Sequence, residues 1–303
     1  MNQKYLLVVV FLGCSIAFSQ PYVDLASVTY QTFSAPYKTP SFGTNKTDLL
    51  GVNLLLPKPL KSGNTILCRI VAENIHSEII SNNPSSSQLS SFSVAFGYQW
   101  WSSNQHWKTI LMGIPKWASD LKDPITTKDW QYGALAITKY QLNAKVQLKA
   151  GLYYNREAFG NFFIPLLGID WKASERLNFY GILPSNYTVE YQFIPKKGYA
   201  GVAFTAPTRS FHLSKSQQED YVRIDEVTAK FFANYELWNH LVLIGEVGYS
   251  LGKSPLQYTT TTDRLSQQNP IYTPLKRYPV FGIGLAYRIR EDVNSNQKNT
   301  IKD

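Results

Sequence analysis

Apolar and polar residues alternate with a period of two along most of this chain, in segments of about ten residues separated by turn clusters. The clearest segment is 89–101, where Phe92, Val94, Phe96, Tyr98 and Trp100 share one face and Ser91, Ser93, Ala95, Gly97 and Gln99 the other. Segment 144–154 repeats the scheme, with Val146, Leu148, Ala150, Leu152 and Tyr154 opposite Lys145, Gln147, Lys149 and Gly151. In 187–193, Val189 and Tyr191 oppose Thr188, Glu190 and Gln192; in 281–289, Ile283, Leu285 and Tyr287 oppose Gly282, Gly284, Ala286 and Arg288. Weaker versions occupy 25–31, 48–56, 65–74, 107–114, 130–140, 162–171, 177–183, 199–206, 227–235 and 241–251. The pattern predicts about fourteen strands, with twelve as the lower reading.

The connections carry a second rhythm. Long gaps (33–47, 75–88, 115–129, 155–161, 207–226, 252–277) alternate with tight ones (57–64, 102–106, 143, 172–176, 195–198, 236–240), and 184–186 is short where a long gap is due. An antiparallel meander sends every second connection to the same end. Long loops at one end and short turns at the other describe a transmembrane antiparallel up-and-down β-barrel. Lipid cannot satisfy backbone polar groups, so such a sheet must close on itself and turn its apolar face outward. The polar face then lines a lumen, to which Arg69, Glu73, Lys145, Gln147, Lys149, Asp170, Glu190, Gln192, Glu246 and Arg288 are assigned. Tyr98, Trp100, Tyr140, Tyr154, Trp171, Tyr249 and Tyr287, near strand ends, are placed in interfacial girdles.

Composition agrees. Charged residues make up 17%, against about 25% in soluble domains, while 44% is hydrophobic, with 20 Tyr and 16 Phe. Beyond the N-terminus no apolar run approaches the roughly 18 residues of a spanning helix. Lys4 followed by the apolar stretch 5–18 and Ala17-Phe18-Ser19 reads as an export signal over residues 1–19, leaving a barrel over 20–290 and a polar tail over 291–303. Leu12-Gly13-Cys14 leaves lipidation at Cys14 as an alternative. After cleavage Cys68 alone remains, so no internal disulfide forms. The net charge is +9, with Lys and Arg scattered rather than blocked, which gives nucleic acid no footprint.

Several stretches resemble an uncharacterised family of Gram-negative outer-membrane β-barrel proteins, a domain of unknown function. They are Asp24-Leu25-Ala26-Ser27-Val28, the run from Phe159-Gly160-Asn161 to Ile169-Asp170-Trp171, Asn178-Phe179-Tyr180-Gly181-Ile182-Leu183-Pro184, and Tyr221-Val222-Arg223-Ile224-Asp225. The resemblance implies a fold and an outer-membrane location, with no activity or site to carry over.

Candidate chemistry is sparse. His76, His106, His212 and His240 stand far apart at expected loops, turns or strand ends, without metal-ligand spacing, and are read as solvated. No phosphate or dinucleotide loop occurs. No catalytic residue, cofactor or metal is assigned. Asn155-Arg156-Glu157 and Arg223-Asp225-Glu226 are read as structural ion pairing near the barrel mouth, with a charged constriction as the alternative. The expected partners are outer-membrane lipids, lipopolysaccharide, the barrel-assembly machinery and small solutes. The expected function is a pore or transporter for a small solute. A non-conducting barrel that binds through its loops is the alternative, and an outer-membrane phospholipase a third reading.

Overall fold

The computed structural model describes residues 21–82, 84–214, 221–258, 271–272 and 275–290. The export signal over 1–19, the tail over 291–303 and residues 259–270 of the longest connection lie outside the described residues. The strands are β1 (Tyr22–Pro36), β2 (Thr44–Pro59), β3 (Thr65–Ile80), β4 (Ser85–Trp101), β5 (Trp107–Ser119), β6 (Trp130–Asn143), β7 (Val146–Glu157), β8 (Gly160–Lys172), β9 (Leu177–Ile182), β10 (Asn186–Ile194), β11 (Gly198–Thr205), β12 (Thr208–His212), β13 (Tyr221–Trp238), β14 (Leu241–Tyr258), β15 (Ile271–Tyr272) and β16 (Pro279–Arg290). A 3-10 turn, Thr127–Asp129, precedes β6.

Fourteen strands close into one antiparallel ring. It runs from β1 through β11, then β13, β14 and β16, and β16 pairs back onto β1 from Tyr22↔Arg290 to Phe33↔Val280. Each of the fourteen segments expected from alternation falls in one ring strand, which settles the count above twelve. Several strands run further than the apolar pattern. The expected 33–47 gap is largely ladder, since β1 and β2 stay paired out to Pro36↔Thr44. Likewise Ser85–Gln88 pairs with β3 as far as Ile79. Beyond the lipid slab strands still exchange hydrogen bonds, but both faces meet water and alternation disappears. The loop-length contrast is therefore weaker than the sequence suggests.

The outer face is apolar and exposed: Val52, Phe96, Leu148, Leu152, Leu167, Phe231, Val247 and Ile283 all stand in the open. Among the described residues, outward charges sit at the rims. Lys46, Asp48, Glu78 and Arg156 lie toward the loop end, and Lys58 toward the short-turn end. A charge at the middle of the lipid-facing band would cost about 2–4 kcal/mol. Aromatic pairs mark the short-turn end, where Trp107 lies against Tyr140 and Trp171 stacks on Phe179. Both chain ends of the ring, Tyr22 and Arg290, lie at this end, which is the periplasmic one in barrels of this architecture.

Candidate functional site

The inner face carries the charge. Arg69 points inward from β3 and keeps accessible surface within the barrel, and its Nε donates to Asn53 Oδ1 at 2.6 Å. Glu73 accepts from Arg209. Buried Gln147 donates to Gln141 at 2.8 Å. Lys149 lies 2.5 Å from Asp170, which is wholly buried. Glu190 takes two hydrogen bonds from Arg290 at 2.8 and 3.0 Å, and Gln192 donates to Tyr199 at 2.9 Å. Glu246 pairs with Lys230 at 3.0 Å, and Arg288 with Asp24 at 2.6 Å. Lys145 departs from its assignment: β7 begins only at Val146, and Lys145 is an exposed turn residue. A two-residue turn ends the ladder one step before the alternation does.

Ten further charged residues line the same interior. They are Asp24, Lys108, Lys116, Lys139, Glu157, Lys172, Glu226, Lys230, Glu236 and Arg290, each on the inward phase of its strand. Among the described side chains, the ring and β12 together present ten basic groups, Arg69, Lys108, Lys116, Lys139, Lys149, Lys172, Arg209, Lys230, Arg288 and Arg290. Against them stand eight acidic ones, Asp24, Glu73, Glu157, Asp170, Glu190, Glu226, Glu236 and Glu246. The surplus is one-sided. From β3 to β8 there are six basic and three acidic groups, whereas the remaining wall and β12 hold four basic and five acidic ones.

β12 is the feature that alternation did not reveal. The chain leaves the wall after Thr205 at Ala206-Pro207, where proline offers no N–H to continue the ladder. β12 then runs inside the mouth as a strap. One edge pairs with β13 from Thr208↔Asp225 to His212↔Tyr221. Its far end bridges His212 to Ser119 of β5, which lies half the ring away from β13. Side chains on its two faces hold it to other strands. Arg209 forms a forked pair with Glu73 at 2.9–3.2 Å and approaches Glu226 at 4.0 Å. Gln131 donates to the Ser210 carbonyl and hydroxyl, and Ser210 donates to Glu157. His212 Nδ1 lies 2.8 Å from Asp129, so this histidine is a latch rather than a solvated loop residue.

Phe211 and Leu213 pack on inward-facing Leu49, Ile75, Leu89 and Ala118 of the wall and on Val222 and Ile224 of β13. Here the inner face is apolar, contrary to the simple rule of polar residues inside, because it covers a strand instead of water. Asp129 sits outside the strands. Burial alone would raise its pKa, but hydrogen bonds from the Thr126 amide, His212, and the Thr126 and Ser119 hydroxyls outweigh it and hold the carboxyl below its usual range.

A second cluster narrows the short-turn end. Arg288 lies 3.6 Å over the Tyr22 ring, and Arg290 lies 3.3 Å over Tyr199. Tyr180 meets Tyr22 edge-on and shares a hydrogen bond with it at 3.2 Å. Beside the strap opens a polar pocket of about 270 Å³, bordered by Gln31, Asn186, Thr205, Arg209, Glu226 and Lys230.

No family model and no curated protein matches the chain. Among solved structures it is similar to an outer membrane channel from Pseudomonas putida F1, at 11% identity and a TM-score of 0.45, over 87% of this chain and 94% of that one. It is also similar to the P. putida toluene transporter TodX, at 9% identity and a TM-score of 0.44, over 92% of each chain. A Rh. blastica porin follows at 9% identity and a TM-score of 0.30, over 87% of this chain and 99% of that one. The likeness is one of barrel architecture.

Proposed function

We propose that this protein is a gated outer-membrane conduit for small solutes, closed at rest by the β12 strap. Exported by residues 1–19, it would be seated by the assembly machinery among lipid and lipopolysaccharide, as a member of the uncharacterised barrel family its sequence resembles. The observation that carries the reading is Arg69, a charged side chain that faces inward and is still exposed. A barrel serving only as a scaffold gains nothing from an accessible charge in its interior. The strap gives the conduit a closed state, because its apolar face fills the mouth while polar latches hold its tip. The chemistry is passage rather than catalysis: the inner charges orient and select, and no bond need be made or broken.

Planar-bilayer recording tests this directly. Purified barrel should show rare openings, and releasing the strap by Glu73→Gln should make them frequent. Silence in both proteins overturns the conduit and leaves the non-conducting, loop-binding barrel.

A further inference from the structure

Three lysines stand in a row on the inner wall. Lys108 of β5 is the direct cross-strand partner of Lys139 in β6, and Lys139 is the direct partner of Lys149 in β7. Each is at most 8% exposed. Directly opposed residues in an antiparallel pair have Cβ atoms about 4.5–5.5 Å apart, and like charges there repel one another. Chain pairing thus brings three cations together, on the wall that also holds the whole basic surplus of the interior. At one end of the row Asp170 lies 2.5 Å from Lys149. At the opposite end Lys108 stands 5.0 Å over the Trp101 ring.

Side-chain volume does not call for lysine at these positions. Glutamine, which the neighbouring inward positions Gln99, Gln141 and Gln147 already use, would occupy similar space without the repulsion. A row of cations within a low-dielectric wall does have an electrostatic consequence, since it concentrates positive potential over the adjoining lumen. Rings of Lys and Arg select anions in pores by this means.

We propose that Lys108, Lys139 and Lys149 form an anion-selecting site, and that the cargo is a small solute bearing a carboxylate, phosphate or sulfate group. The inference rests on the conduit reading and names its solute class. In open events of the native barrel under a KCl gradient, chloride should permeate several-fold better than potassium. Lys108→Gln with Lys139→Gln should bring the ratio to about one. Asp170→Asn, which removes the carboxylate beside Lys149 and keeps the lysines, should raise it, a shift that a purely structural role does not produce. Cation preference, or no preference, in the native barrel overturns the proposal even if the double variant fails to fold. If the barrel does not conduct, the conduit reading fails and the site is judged separately. Sulfate at constant ionic strength should then raise the melting temperature of the detergent-held native barrel but not that of the Asp170-intact double glutamine variant. Absence of any rise in the native protein refutes the site.

Discussion

Glu73→Gln is the most incisive perturbation of the strap. Arg209 reaches Glu73 through Nε and Nη2 at 2.9–3.2 Å, while its next acid, Glu226, stands 4.0 Å away. Glutamine keeps the volume and one acceptor but removes the charge. Hydrogen bonds to charged groups contribute about 1.5–3 kcal/mol, and both side chains are less than a quarter exposed. Glu226 retains part of the attraction, so about 2 kcal/mol is a fair loss. If that loss falls wholly on the closed state, the open-to-closed ratio rises about 30-fold. Open probability of single barrels near physiological salt measures it. Arg209→Gln alone and with Glu73→Gln completes a double-mutant cycle, whose coupling term isolates the pair. An open-to-closed ratio for Glu73→Gln within about twofold of native would show that this pair does not hold the strap.

Three other outcomes follow from the same contacts. Cysteines at Ser119 and His212, which are bridge partners, should form a disulfide that abolishes openings until reductant is added; persistent openings in the oxidised protein would place the strap elsewhere. Because the Asp129 carboxyl is held below its usual range, its contribution is fully present above about pH 4 and is lost as pH falls through the lower folded value. Openings through this latch should therefore rise only in more acidic solution, whereas Asp129→Asn should raise them already at neutral pH. Phe96→Lys, on the lipid-facing wall at 59% exposure, should destabilise the barrel by about 2–4 kcal/mol in bilayer unfolding titrations; an unchanged midpoint would mean that this face does not meet lipid.

The wall was legible in the sequence because each ring strand separates two solvents, so that Phe96 and Leu148 alternate with Ala95 and Gln147. The strap was not, because both faces of β12 are covered. Arg209, Ser210, Phe211 and His212 each meet a partner from a different distant strand, and five residues with that mixture carry no period. The lysine row lay halfway between. Lys108 and Lys139 sit on the inward phase that alternation defines, but their juxtaposition depends on register across β5, β6 and β7. That register is fixed by where the turns begin, the same detail that moved Lys145 out of the lumen. The apolar inner patch of Leu49, Ile75 and Leu89 was hidden for a related reason: its partner is a strand segment some hundred or more positions away.

Thiol labelling in a Cys68→Ser background tests the central claim, one wall between lipid and a water-filled interior. Arg69→Cys should react quickly with a small water-soluble thiosulfonate in the membrane-seated barrel, while Leu148→Cys should react only with a lipid-soluble maleimide. Rapid aqueous labelling at Leu148 together with protection at Arg69 would contradict it.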